Sequence, residues 1–511
     1  MVFVAAVFVL RAAYLIWLCP YDLAADEAQY WDWSRRLDLS YYSKGPGVAW
    51  AIAAGTHLLG SAEWAIRLPA ALAAALAALA VGGMARAVSG GNTRAGLIGA
   101  ALFCLAPVFH GTAQFMTIDS PFFMCWALAT WVGWLLLHQP WTGTARLAGW
   151  CLLGVIVGAG FLCKYTMVLW IPGFAAYLAL RRRGAAAPPR RAIDLALGLL
   201  ACAGTVSPVF VWNAQHGWPT VAHLLGQAKL PGGDLQAHTH WHYNPLWTLG
   251  YLATPLLVLG PPVAILIAVA LIRAWRNRTA APAGWAGARY ALCCAAPVLL
   301  LYLVASLTTD VELNWPVAGY IVLLAPAAYG LVTASSRLMR RLWHASVAFG
   351  IAACLVISMG PAVAPALTWL GGPAARRPLE RLLARVSGNR AFGRAVTDAA
   401  ARLRAEQGQE PLLIASKYGT AALIAYYGAG RPRVCSASSF LTGGRESSYD
   451  YFPDTDLCAP ALRGRTALLV GADLPTWRAR LGFEQIEPAP EKVGFFVGTG
   501  YKGPLVPRRR R

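Results

Sequence analysis

The stretch VFVAAVFVLRAAYLIWLC, residues 2–19, is an almost uninterrupted apolar run. It is followed at once by a polar and aromatic loop, DLAADEAQYWDWSRRLDLSYYSKGPG, at residues 22–47. An apolar run of about 20 residues is long enough for a helix to cross the hydrocarbon core of a bilayer. Because a helix satisfies its own backbone hydrogen bonds in hydrocarbon, repeated runs of this kind predict a polytopic α-helical membrane protein.

Composition supports this class. The chain has 511 residues, of which 57% are hydrophobic and 13% charged, and its mean hydropathy is +0.49. Soluble domains usually carry about 25% charged residues. The net charge of +21 would suggest nucleic acid in a soluble protein, but here it follows from arginines in the loops at one side of the membrane. We therefore expect membrane lipid and no nucleic acid as partners.

Hydropathy and length predict about eleven spans. Their approximate bounds are 2–19, 64–85, 95–112, 119–137, 146–163, 166–180, 193–211, 247–272, 287–307, 316–334 and 342–361. Alternate loops are rich in arginine, which predicts that they are cytoplasmic. The remaining loops carry acids, aromatics, histidines and turn residues, and we expect them on the exported side.

The composition changes after residue 370. RRPLERLLARVSGNRAFGRAVTDAAARLRAEQ predicts helix, and PLLIASKY, RPRVCSAS, TALLVGA and GFFVGTG predict short strands. We therefore divide the chain into a transmembrane catalytic domain at 1–370, with its first exported loop at 20–63, and a soluble α/β domain at 371–511. An odd number of spans places this second domain on the exported side, where Cys435 and Cys458 could form a disulfide or remain two thiols.

The exported loops collect the polar residues that could carry chemistry at the membrane surface. Asp26 and Glu27 follow the first span, and a carboxylate there could act as general base toward a substrate hydroxyl. The alternative is that the pair caps the N-terminus of an interfacial helix. Lys44 and Lys164 could bind a phosphate, although a single interfacial lysine more often extends its ammonium to the headgroups.

The histidines of HTHWHY lie at alternate positions. In a strand His238, His240 and His242 would share one face and could hold a divalent metal. The alternative is a polar loop that binds substrate or faces water. No cofactor is predicted with certainty.

Several motifs together resemble a known family. These are the Asp-Glu pair after the first span, YYSKGPGVAW, RLPAAL, MTIDSPFF, GFLCKYTMVLWIPG, PVFVWNAQHGWPT and ELNWPVAGY. In their order and loop placement they resemble the bacterial family 39 and family 83 glycosyltransferases. These are GT-C enzymes related to protein O-mannosyltransferases and to the aminoarabinose transferase of lipid A. The resemblance covers residues of about 10 to 335 and implies a GT-C fold.

The resemblance also implies a reaction and a site. The reaction is transfer of a sugar, with inversion, from a polyprenyl-phosphate donor to lipid A, an envelope glycan or a protein, on the periplasmic side of the bacterial inner membrane. Asp26 and Glu27 fall on the catalytic acidic positions, and Lys44 and Lys164 on lysines near the carrier phosphate. Further substrate-binding residues are Gln29, Tyr30, Tyr42, Asp119, Glu312 and Asn314.

The sequence departs from the lipid A enzymes at two positions. They have Glu, which contributes to a zinc site, where this chain has Ser43, and Arg where it has Gln29. These departures point to a different donor sugar or a different acceptor. The competing hypothesis is a transporter or flippase for a lipid-linked sugar, which would use the same acids and lysines. Transporters often show internal repeats and broken helices, and a polar cluster confined to one side favours the enzyme.

Overall fold

A computed structural model describes residues 1–181, 192–227, 231–234, 243–334, 336–441, 445–489 and 494–506. Helices dominate the first part of the chain. Their bounds are α1 (Val2–Trp17), α2 (Ala25–Ser34), α3 (Gly47–Leu59), α4 (Glu63–Val88), α5 (Thr93–Leu105), α6 (Pro107–Thr112), α7 (Asp119–His138), α8 (Gly143–Cys163), α9 (Trp170–Leu180), α10 (Ala192–His216), α11 (Pro219–Gln227), α12 (Pro245–Val258), α13 (Pro261–Arg276), α14 (Pro282–Ala305), α15 (Val317–Ile321), α16 (Leu324–Thr333) and α17 (Arg337–Ser358). A 3₁₀ turn, Tyr165–Leu169, leads into α9.

The polytopic helical class is confirmed. Within the described ranges six helices are long and apolar enough to cross a membrane, namely α4, α7, α8, α10, α14 and α17. The bent pair α12 and α13 would make a seventh. The total of eleven spans stays a prediction, because several of the predicted spans correspond to shorter apolar helices.

Three predicted spans are interrupted, two of them where the sequence disfavours a continuous helix. The span near 95–112 breaks at Ala106, which precedes a proline and is extended. The span near 247–272 bends by 100° at Gly260, whose φ is 84°. The span near 316–334 divides into α15 and α16. A residue before proline avoids the helical region, and glycine accepts positive φ without strain.

Beyond α17 the chain forms a mixed region of helices and strands. The elements are α18 (Gly360–Ala384), α19 (Asn389–Gln407), β1 (Leu412–Ala415), α20 (Tyr418–Tyr427), β2 (Val434–Ser436), β3 (Ala467–Val470), α21 (Leu474–Arg480), β4 (Leu481–Gly482), β5 (Gln485–Pro488), β6 (Phe495–Thr499) and β7 (Gly503–Pro504), with short 3₁₀ helices at Ser448–Asp450 and Pro460–Leu462. The sheet order is β2-β1-β3-β6-β5. Strands β2, β1 and β3 pair in parallel. Strand β6 is antiparallel to both of its neighbours, β3 and β5.

The four predicted strands correspond to β1, β2, β3 and β6, whereas β4, β5 and β7 were not predicted. The predicted helix of residues 376–407 is two helices, because Gly388 adopts a φ of 79° between them. The proposed domain boundary at residue 370 falls inside α18, close to a break at Gly372. The described residues contain no disulfide bond. Cys435 is buried and Cys458 exposed.

The strand-containing region packs directly on the first loop. A single hydrophobic cluster joins Trp31 and Tyr41 of the loop to Ile424 and Leu468 of the C-terminal region. Arg36, just after α2, makes an ion pair of 2.8 Å with Asp454. The loop that the sequence singles out as catalytic therefore shares its core with the C-terminal region.

Candidate active site

Glu27 is the anchor of α2. It is completely buried, and both of its carboxylate oxygens are bonded to Arg67 of α4, at 2.9 and 2.8 Å. The backbone N–H groups of Met116 and Ala24 donate to the same carboxylate at 2.8 and 3.0 Å. Four bonds to one buried carboxylate leave little room for a substrate, so this residue holds α2 in place.

Asp26 lies one residue earlier and points elsewhere. Its side chain is exposed, although protein surrounds it on most sides. This partial desolvation raises the pKa of Asp26 above its ordinary value, the Glu27 charge adds to the rise, and the Lys44 charge opposes it. An accessible carboxylate with a raised pKa is suited to accept a proton.

A second cluster lies at the start of α7. Asp119 is buried, and its two oxygens accept one bond each from Lys164 and Asn314, both at 2.7 Å. Lys164 follows the last residue of α8, and Asn314 lies in the loop before α15. Three distant segments thus meet at one carboxylate, which fixes the Lys164 ammonium at this end of the bundle.

Lys44 stands beside this cluster. Glycines at 45 and 47 allow its loop to lie directly on the end of α8, since a Cβ at either position would clash with Leu162 or Cys163. Burial and the Lys164 charge lower the pKa of Lys44, while the Asp119 and Asp26 charges raise it. Within the described residues the Lys44 ammonium makes no ion pair.

The predicted substrate-binding tyrosines have different surroundings. Tyr42 donates a hydrogen bond of 2.6 Å to Asp234, which also contacts His223 at 2.8 Å. Tyr30 is buried, and its pKa is raised well above the ordinary value by burial and by the charges of Asp26 and Asp119. Tyr30 therefore lies next to the carboxylates, whereas Tyr42 belongs to a neighbouring network.

The remaining predicted residues are less closely connected to the cluster around Asp26, Lys44 and Asp119. Gln29 is buried in α2. Glu312 is exposed and makes no ion pair among the described residues, whereas Asn314 two positions later donates a hydrogen bond to Asp119. His238, His240 and His242 lie outside the described residues, so the metal prediction is untested. The part of the chain that is described contains no group of three ligand-type residues placed to hold a metal ion.

Sequence reasoning missed residues that the structure brings to the site. Arg67 could have been found, because an arginine within a long apolar helix is costly unless it is paired. Tyr418 begins α20, and Gly419 beside it lies so close to Ala25 that an added Cβ would come within 3.0 Å. Burial and the Asp26 charge raise the pKa of Tyr418. No local pattern indicates this long-range contact.

The chain is similar to several known proteins. The profile of the dolichyl-phosphate-mannose-protein mannosyltransferase family matches residues 43–212. The lipid A galacturonosyltransferase of Rhizobium johnstonii is 31% identical over 307 residues, which are 59% of this chain and 59% of that protein. The undecaprenyl phosphate-alpha-4-amino-4-deoxy-L-arabinose arabinosyl transferase of Erwinia tasmaniensis is 27% identical, over 67% of this chain and 63% of that protein. The chain thus spans about three fifths of the length of these curated relatives.

The crystal structure of ArnT from Cupriavidus metallidurans in the apo state resembles this chain over 97% of both proteins, with a TM-score of 0.65 and 18% identity. Its structure bound to undecaprenyl phosphate matches with a TM-score of 0.60 and 17% identity. The GT-C fold and the resemblance predicted from the motifs are therefore confirmed. The chain is an integral membrane protein of the bacterial inner membrane.

Proposed function

We propose that this protein is an inverting glycosyltransferase that moves a sugar from a polyprenyl-phosphate carrier to an acceptor in the cell envelope, with lipid A as the first candidate. The observation that carries the proposal is that an accessible carboxylate, Asp26, and Lys44, which makes no ion pair among the described residues, interact electrostatically with each other and with the fixed Asp119–Lys164 pair. The names of the relatives support the donor and the acceptor class. We place the site and the C-terminal region on the periplasmic side, as the basic loops predict.

The lysines would act on the leaving group. When the bond between the anomeric carbon and the phosphate oxygen breaks, the electron pair stays on the carrier phosphate. Cations already in position stabilise that charge without reorganising. Lys44 is available for this contact, while Lys164 is held by Asp119 at 2.7 Å and would add a fixed positive charge.

Asp26 would act on the acceptor. An acceptor hydroxyl attacks the anomeric carbon from the face opposite the phosphate, and its proton passes to the Asp26 carboxylate. Attack from the opposite face inverts the configuration. If the acceptor atom is instead a phosphate oxygen, which is already ionised, Asp26 would orient the substrate. Glu27, which we expected to be catalytic, is better assigned a positioning role, because its oxygens are all engaged.

The test is a transfer assay in membranes that contain the full chain. Undecaprenyl-phosphate-linked sugars serve as donors, and mass spectrometry of lipid A and envelope glycans reads the product. We expect a new glycosidic bond with the wild-type protein and its loss with Asp26→Asn. Movement of the lipid-linked sugar across the bilayer without a new bond would indicate the flippase instead, and inertness toward every such donor would reject the class.

A further inference from the structure

The C-terminal sheet presents the ends of its parallel strands to the first loop. Strands β1, β2 and β3 are parallel, so their carboxyl ends lie at one edge of the sheet. The order β2-β1-β3 reverses direction at β1, and open α/β sheets bind ligands outside the carboxyl ends of such strands. Helix α20 begins at this edge, and a Cβ added to Gly419 in its first turn would lie 3.0 Å from the side chain of Ala25. The carboxyl edge therefore faces the segment that carries Asp26.

The segment that follows β2 also lies against the first loop. The Ser438 hydroxyl donates to the carbonyl of Arg445 at 3.0 Å, which ties Arg445 to the carboxyl edge. The residue after Arg445 accepts a hydrogen bond of 2.7 Å from the Tyr451 hydroxyl. The Tyr451 ring stacks on Tyr42 with a distance of 5.8 Å between the ring centroids. Since Tyr42 is two residues before Lys44, these contacts bring Arg445 close to the loop that carries this lysine.

The Arg445 side chain lies among the polar groups of the site. It is half-buried and makes no ion pair within the described part of the chain. Its charge interacts with Lys44, with Tyr418 and with Asp234. The Asp234 carboxylate already accepts a hydrogen bond of 2.6 Å from Tyr42. The guanidinium therefore lies near a carboxylate that is bound elsewhere.

Four polar groups form a closed ring of electrostatic interactions. Asp26 interacts with Lys44, and Lys44 interacts with Arg445. Tyr418 interacts with both Arg445 and Asp26. Two of the four come from the first loop and two from the carboxyl edge of the C-terminal sheet. The like charges of Lys44 and Arg445 disfavour each other, and an anion bound between the two cations removes that cost.

We infer that Arg445 is a substrate-binding residue contributed by the C-terminal region, and that together with Lys44 it binds an oxyanion of the lipid-linked donor. The inference rests on the proposed function, because it adds a residue to the same site. A guanidinium binds two oxygen atoms in one plane, so Arg445 orients the oxyanion while Lys44 acts as a point charge. The oxyanion is the carrier phosphate or a carboxylate on the transferred sugar, and carriers with and without a sugar separate the two.

Binding of sugar-free undecaprenyl phosphate to the purified full chain tests the carrier phosphate. Arg445→Gln should weaken this binding by roughly tenfold, the value of one hydrogen bond to a charged group, and Arg445→Lys should weaken it less. The matched control is Arg463→Gln, which changes an exposed arginine just before β3, at the opposite edge of the parallel strands. This control should bind undecaprenyl phosphate as the wild type does.

Two donors that differ only in a carboxylate test the sugar. They are undecaprenyl phosphate linked to galacturonic acid and undecaprenyl phosphate linked to galactose. A loss of affinity in Arg445→Gln that is confined to the galacturonic acid donor would assign Arg445 to the sugar carboxylate. Equal affinity of the wild type and Arg445→Gln for undecaprenyl phosphate and for both donors would overturn the inference.

A purely structural role of Arg445 would be to compensate the charge of Asp234. In that case the double variant Arg445→Gln with Asp234→Asn should regain the wild-type affinity, and this result would overturn the inference. We expect the double variant to bind as weakly as Arg445→Gln alone. Binding that depends on Arg445 in a wild-type protein without transfer activity would support the inference and reject the enzyme. Transfer with the same donor KM in the wild type and in Arg445→Gln would retain the enzyme and reject the inference.

Discussion

Asp26 and Glu27 are neighbours in the chain and have opposite surroundings. Glu27 is fully buried, and Arg67 and two backbone N–H groups bind it. Asp26 is exposed, and its charge interacts with Lys44. Successive residues on a helix point in directions about 100° apart, so one can face the core and the other an open site. The same acidic pair therefore provides an anchor and a reactive group.

The two lysines show the same division. Lys164 is held by Asp119, while Lys44 has no ion pair within the described residues. Glu27 and Lys164 are held in ion pairs and fix the geometry of the site. Asp26 and Lys44 are the members of each pair that a substrate can contact. This division of roles predicts which substitutions should affect chemistry and which should affect folding.

The largest effect on activity is expected for Asp26→Asn. A positioned general base contributes about 10²–10⁴-fold, so transfer should fall by that factor while the thermal stability of the purified protein stays the same. The control is Asp310→Asn, which changes an exposed carboxylate in the loop between α14 and α15. If Asp26→Asn and Asp310→Asn keep equal rates, Asp26 is not the base.

Arg67→Met should act on stability instead. Removing one partner of a buried ion pair costs about 3–5 kcal/mol, because the other charge is left uncompensated. The control is Arg390→Met, which breaks a pair with Glu63 of the same 2.8 Å length, but with the arginine 53% exposed. That change should cost about 0–1 kcal/mol. The measurement is thermal unfolding in detergent, and equal shifts would contradict the anchoring role of Glu27.

The same contrast shows how far the sequence could lead. Composition and the length of the apolar runs predict the helical bundle. The charge of the loops predicts which polar residues share one end of it. In this way the sequence predicted that Asp26, Lys44, Asp119 and Lys164 share one end of the bundle, and in the structure their charges interact. The different roles of Asp26 and Glu27 were not, because they depend on Arg67, 40 residues away.

The C-terminal contribution was also missed for a physical reason. The core shared by Trp31 and Ile424 joins segments with no local signal between them. The break in α18 depends on a single positive φ at Gly372, which no periodicity indicates. Sequence patterns report which face of an element is apolar, but not which distant element covers it.

Lys44→Arg should change the pH dependence rather than abolish transfer. The pKa of Asp26 is raised above its ordinary 3.8, so a reaction that needs its carboxylate is lost as pH falls through that raised value. The pKa of Lys44 is lowered from 10.5, so a reaction that needs its ammonium is lost as pH rises through the lowered value. The wild-type profile should therefore be bell-shaped.

Arginine stays protonated over the whole working range, so Lys44→Arg should remove the alkaline limb and keep the acid limb. Rates measured from pH 5 to pH 10 would show this. The control is Lys417→Arg, in the C-terminal region before α20, which should leave both limbs in place. An alkaline limb that persists unchanged in Lys44→Arg would mean that another group causes it.

The smallest effect is expected in the loop before α15, where the sequence predicted two substrate-binding residues that the structure separates. Asn314 donates to Asp119 at 2.7 Å, so Asn314→Ala should loosen the Lys164 pair and lower transfer by about tenfold, the value of one hydrogen bond to a charged group. Glu312 is exposed, and Glu312→Gln should change the rate less than about twofold, as for most exposed substitutions. The two substituted residues lie two positions apart in one loop, and both variants are compared in the same transfer assay. A larger loss for Glu312→Gln would show that this carboxylate meets a substrate directly, and that contact with the Asp119 cluster does not decide function in this loop.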